Sequence, residues 1–301
     1  MYRSLKLATT VAILLTGSSM ALAQTPKAKP HTAGTKSATG SAARLGGHPN
    51  LNGIWQVMNT ANFNLEPHDA AAAKSLATQT EIGALGATHA GLGVVEGGTI
   101  PYKPEALKIR DDNRSKAPKA DPEAACYLPG IPRATYIDMP FQIIQADDGD
   151  ILMAYEYDAA NRVVRMKKVE VPPIDTWMGT SFGAWEGDTL KVVTLSQNPG
   201  EVMNPGAPGT TPGVTWLDRS GNFLTGTATV TERFIPIDHD HMNYEVTIED
   251  PTIFTKPWKI SMPIYRRLEK NAQLLDYRCV PFADMLVYGD LYADKDKYPK
   301  K

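Results

Sequence analysis

The sequence is short of cysteine, of catalytic motifs and of long apolar runs, and each shortage excludes something. Its two cysteines, Cys126 and Cys279, stand far apart in 301 residues. With no Cys-x-x-Cys and no Cys/His cluster, neither dithiol redox chemistry nor a metal site is indicated. No His-Glu-x-x-His, no Gly-x-x-x-x-Gly-Lys-Ser/Thr and no helix-opening Gly-x-Gly-x-x-Gly occurs, which argues against zinc proteases and nucleotide enzymes. A serine hydrolase is not expected either, and no cofactor is implied. Beyond the N-terminus no segment approaches the ~20 apolar residues of a membrane-spanning helix. Acids are missing from the first 44 positions, which hold Arg3, Lys6, Lys27, Lys29, Lys36 and Arg44. The formal net charge of −2 therefore splits into +6 there and −8 over the remainder. An acidic folded part is a poor nucleic-acid binder, because phosphate contacts need a basic face.

What is present begins with an export signal. Arg3 and Lys6 precede the apolar "LATTVAILLTGSSM", and Ala21-Leu22-Ala23 supplies a small-x-small cleavage site. Residues 1–23 read as a signal peptide, and the mature chain is expected to start at Gln24. No cysteine follows the site to carry a lipid, so no stable membrane anchor is expected after cleavage. The location implied is the periplasm or the exterior, where a lone pair such as Cys126 and Cys279 is expected to form a disulfide. Residues 24–47 are Ala, Gly, Ser, Thr, Pro and Lys with almost nothing to bury, and read as a disordered leader.

Residues 48–301 read as a single β-barrel domain with a helical and loop segment at 66–135. "DAAAAKSLATQTEIGAL" suggests one helix, and Pro104 is suited to open another. From Phe141 the pattern is strands. "FQIIQA" and "DILMAYEYD" flank the Asp-Gly turn "DDGD", "EGDT" turns a second hairpin, and "TATVTERFIPID" with "NYEVTIEDP" makes a third. "NPGEVMNPGAPGTTPG" is a long loop, and "WKISMPIYRRLEKNAQLLDYRCV" reads as a last pair turning at "EKNAQ". Eight or nine strands in hairpin order, without α/β alternation, favour an antiparallel up-and-down barrel or a strongly curved meander.

"NLNGIWQVM" places Gly53 and Trp55 at the head of the first strand. Gly-x-Trp followed by a meander resembles the lipocalin and wider calycin pattern, which implies a Trp packed across one barrel end. Arg133, in "PGIPRATY", is placed to cap that end through carbonyls, as the closing arginine of lipocalins does. "GLGVVEGGTIPYKPEALK", "DPEAACYLPGIPRATY", "TWMGTSFGAWEGDTL" and "YEVTIEDPTIFTKPWKISMPIYRRLEKNAQLL" resemble a family of exported bacterial proteins. That resemblance implies no activity. It implies His where this chain has Ala184, and a His-Ser pair where it has Leu224-Thr225.

Strand alternation sorts candidate residues between two faces. Val230, Glu232 and Phe234 share one, so Glu232 is a buried general acid or base, a carboxylate paired to an arginine on a neighbouring strand, or a rim residue. Ile151, Met153, Tyr155 and Tyr157 share another, suited either to core or to a flat apolar ligand. Trp177, Trp185, Trp216 and Trp258 carry the same ambiguity. Arg165, in "RVVRMKK", either holds a ligand carboxylate or belongs to a solvated face. His239 and His241 in "IDHDHMN" read as turn residues. The expected function is therefore an exported barrel binding a small, largely apolar, aromatic or terpenoid-like molecule in an internal cavity, with Tyr155, Tyr157, Trp185, Phe234 and Arg165 as ligand contacts. The alternative is a cofactor-independent lyase, isomerase or hydrolase acting through Glu232.

Overall fold

The computed structural model describes residues 44–71, 88–117, 120–167, 170–171, 174–197 and 214–281. The signal segment, most of the leader, the expected Ala-rich helix and the Pro/Gly-rich loop lie outside them. So does everything after Pro281.

Two short strands, β1 (Arg44–Leu45) and β2 (His48–Pro49), form a strap that precedes β3 (Gly53–Gln56). After β3 come α1 (Pro104–Lys116), a 3-10 turn at Pro122–Ala125 and α2 (Arg133–Tyr136). Pro104 sits at the first turn of α1, where its missing N–H costs nothing. Then follow β4 (Phe141–Ile144), β5 (Ile151–Tyr155), β6 (Asn161–Arg165), β7 (Thr180–Glu186) and β8 (Thr189–Leu195). β9 (Val214–Trp216) and β10 (Phe223–Thr225) pair only with each other. The last three strands are β11 (Thr229–Pro236), β12 (His241–Glu249) and β13 (Trp258–Arg266).

Nine strands close into a barrel in chain order, β3-β4-β5-β6-β7-β8-β11-β12-β13, with β13 returning to β3. The expected meander is therefore a closed barrel. Its one departure has a simple cause: directions cannot alternate all the way round an odd-numbered ring. The parallel contact falls at β6 and β7, with Val164 opposite Ser181. Parallel neighbours need a crossover of about a dozen residues, which the stretch from Met166 to Gly179 supplies. Trp177 and Met178 in it are buried.

Alternation holds along the barrel strands. Ile151, Met153 and Tyr155 face inward from β5, and Leu190, Val192 and Thr194 from β8. Val230, Glu232 and Phe234 do so from β11, and Met242, Tyr244, Val246 and Ile248 from β12. The turns of β4–β5, β7–β8 and β11–β12 gather at one end, with the start of β3; this is the hairpin end. The other end lies under a cap made of α1, α2, β9, β10 and their connections.

Three sequence readings need correction. β5 stops at Tyr155, because Asp158 and Ala159 take left-handed turn conformations. Tyr157 therefore leaves the barrel face and donates to the Glu123 carbonyl. "LLDYRCV" is not a strand: β13 already pairs with β3, so the closed ring offers no free edge, and residues 267–281 run as coil and turns. That coil is tied to the rest by the Cys126–Cys279 disulfide, as the cysteine pair suggests. Third, the arginine that closes the barrel end is Arg266, not Arg133. Arg266 lies 4.1 Å over the Trp55 ring and donates to the carbonyls of Asn52 and His239. Gly53 has φ +148°, and a Cβ there would lie 2.0 Å from the Arg266 Nη1, so glycine is required for that stack.

Arg133 is instead fully buried under the cap. It forks onto Asp121 at 2.7 and 2.8 Å and also donates to Asn62 and Glu123. Glu123 receives Arg219 as well, at 2.7 Å. Burial pushes the Glu123 carboxyl up, but Arg219 and Arg133 outweigh it and hold it at about 2.

Candidate functional site

Two places in the barrel collect the expected residues. The first is its interior. The Glu232 carboxylate is fully buried and accepts two hydrogen bonds from the Arg162 guanidinium, at 2.6 and 2.9 Å. The Tyr244 hydroxyl donates to it at 2.7 Å. Arg162 reaches Glu232 from β6, across the barrel rather than from an adjacent strand. Burial works against the Arg162 charge, yet the Glu232 carboxylate outweighs it and raises the guanidinium pKa. Burial, and then the Glu232 charge, pushes the Tyr244 hydroxyl well above the usual range, which keeps it a donor. Tyr155 sits with its ring 5.9 Å from the Arg162 guanidinium carbon, and Phe234 packs 5.0 Å from Tyr244. Thr135 of α2 is a close neighbour of both tyrosine hydroxyls. Glu232 thus has the arginine-paired arrangement, with its oxygens occupied by Arg162 and Tyr244.

The second place is a half-open pocket of about 550 Å³ at the hairpin end. Its apolar wall is Ile151, Met166 and Trp185; its polar wall is Gln145, His48, Asp147 and Asp148. Each part arrives by a different route. Gln145 is fixed by the start of β3: it accepts from Leu51 N–H through its side chain, while its own N–H donates to Asn52. Asp147 and Asp148 come from the "DDGD" turn. Trp185 faces inward near the end of β7, and the His48 ring lies parallel to it, 4.6 Å away and 3° off. His48 is carried by the strap, which Arg44 anchors to Asp188 in the β7–β8 turn. His48 Nδ1 is buried and makes no hydrogen bond. Met166 reaches the pocket because residue 183 is glycine: a Cβ there would meet the Met166 sulfur at 2.5 Å.

The structure therefore separates the five ligand contacts expected from sequence. Tyr155 and Phe234 belong to the interior, and Trp185 to the pocket. Tyr157 lies beside the disulfide under the cap, with Cys279 Sγ 3.7 Å from its hydroxyl. Arg165 faces out and pairs with Asp150 at 2.8 Å, on a solvated face. His239 and His241 each hold an aspartate of their own turn, Asp240 and Asp238. Sequence reasoning missed His48, Gln145, Asp147 and Asp148, which no motif marks. It also passed over one Gly-x-Ser-x-Gly, Gly179–Gly183. Ser181 lies within β7 rather than on a strand-to-helix elbow. It is buried, and its hydroxyl bonds to that of Thr194, so the motif gives no nucleophile. Ala184 lines the pocket and Leu224 is buried.

Compared with protein-family models, curated proteins and solved structures, the chain finds no match.

Proposed function

We propose that this chain is an exported barrel protein that binds a small, largely apolar, aromatic or terpenoid-like molecule. The observation that carries this reading is the pocket at the hairpin end, where Trp185, Ile151 and Met166 offer an apolar wall beside a few polar groups. That mixture is typical of small-molecule sites, and the volume lies in their usual range of ~300–1,000 Å³. The binding site is the mouth of the barrel rather than its middle, where Arg162, Glu232, Tyr155 and Tyr244 meet one another. The binding reading is stronger than the enzymatic one, because the Glu232 oxygens are engaged by Arg162 and Tyr244. Export is supported by the signal-like N-terminus and by the disulfide; among the described residues no helix is long and apolar enough to cross a membrane. Membership of the exported bacterial family, and kinship with calycins through the Trp55–Arg266 closure, belong to the same proposal.

Native mass spectrometry of protein purified from its natural host tests it. The expected result is a mature chain beginning at Gln24 that retains a small molecule, with retention lost in Trp185→Ala. A ligand-free protein whose melting temperature is unmoved by a panel of aromatic and terpenoid compounds overturns the reading.

A further inference from the structure

We infer that the pocket selects an organic cation: a flat aromatic body carrying a permanent positive charge, such as an aryl ammonium. This rests on the proposal that the hairpin-end pocket is the binding site, and it names the chemical class that site takes.

The argument is a comparison of the charges around the pocket. Asp147 and Asp148 line it, and neither is ion-paired among the described residues. No lysine or arginine lines it. The two arginines closest in sequence to its walls are both engaged elsewhere. Arg44 holds Asp188, and Arg165 holds Asp150. Lys167, next to Met166, is exposed and outside the lining. The pocket thus has two carboxylates and an indole in its wall, with no lysine or arginine among its lining residues. Tryptophan is the side chain whose face attracts a cation most strongly; His48 covers one face of Trp185, and an ammonium at the other gains from both the quadrupole and the carboxylates. A neutral ligand gains from neither, and an anion is repelled by the acids. The apolar wall of Ile151 and Met166 accounts for the uncharged part of the molecule. The acids are solvated, so screening limits their effect: the preference for charge is about tenfold in dilute buffer and shrinks as the Debye length falls from ~8 Å at physiological salt to ~3 Å at 1 M.

The test is calorimetric titration of the mature protein with three matched probes: 2-naphthyltrimethylammonium, its neutral isostere 2-tert-butylnaphthalene, and 2-naphthoate. The expected result is that the ammonium binds about tenfold more tightly than the isostere and that naphthoate binds worst. The advantage disappears at 1 M salt and in the Asp147→Asn/Asp148→Asn variant, whose exposed substitutions leave the fold intact, while Trp185→Leu weakens all three probes. Equal binding of cation and isostere, both lost in Trp185→Leu, overturns the charge assignment and leaves the binding site standing. Tightest binding of naphthoate overturns the assignment too. Binding of all three probes unchanged by Trp185→Leu, or no binding at all, overturns the assignment together with the site it rests on.

Discussion

Arg162 and Glu232 show how differently one residue and a pair behave. Removing one partner strands a charge in the barrel interior, whereas replacing both with apolar groups removes the desolvation penalty as well. Arg162→Met is expected to destabilise the protein by about 3–5 kcal/mol, and Arg162→Met/Glu232→Leu to recover most of that loss. Urea unfolding of the two variants decides; a double variant as weak as the single one contradicts the paired arrangement. Glu123 makes a second prediction at this scale. Its folded-state pKa lies below its unfolded value, so its contribution is present in full above about pH 4.5 and is lost as pH falls toward about 2. The shift corresponds to a contribution on the order of 3 kcal/mol. Acid titration of stability should therefore be flatter between those limits in Glu123→Gln than in the parent. Alternation along "TATVTERF" puts Glu232 on the face of Val230 and Phe234, but does not distinguish the interior from the rim. Its partner was not legible, because Arg162 sits three strands away around the ring and meets Glu232 only across the interior.

The β3 segment carries the barrel's closure at the scale of one element. Gly53, Trp55 and the returning Arg266 form a single unit, in which the glycine leaves room for a guanidinium that lies on the indole and holds two carbonyls. Gly53→Ala is expected to cost about 1–3 kcal/mol, since it adds backbone strain and displaces that stack. Lower thermal stability with a changed near-ultraviolet Trp signal is the expected readout; an unchanged melting temperature argues against the unit. Gly-x-Trp could be read from the sequence as a strand opening. The identity of the stacking arginine could not, because the chain offers twelve arginines and only the β13–β3 pairing brings Arg266 to Trp55. Arg133 is equally suitable by sequence, but Asp121, Glu123 and Asn62 engage its guanidinium.

For the whole molecule, the disulfide joins the cap to the coil that follows the barrel, over a sequence separation of 153. Closing a loop of that size restricts the unfolded chain by up to about 5 kcal/mol on the chain-entropy account. A Cys126→Ala/Cys279→Ala variant should unfold at clearly lower urea concentration, with the largest change expected in proteolytic exposure of residues 267–281. An unchanged midpoint would mean that the cap and barrel restrain this segment without the bond.

Sequence by itself determined what depends on near neighbours. The period-2 alternation of the strands, the Asp-Gly turn, the helix opened by Pro104 and the mainly β, chain-ordered meander all follow from local residue patterns, because backbone geometry and side-chain direction are set within a few residues. The tertiary structure decided what depends on ring closure. An odd strand count forced a parallel contact at β6 and β7, and closure removed the free edge that a further strand would have used. The pocket is the clearest case: His48, Asp147, Asp148, Met166 and Trp185 come from the strap, a turn, a crossover and a strand, and only the curvature of the sheet carries them to one mouth.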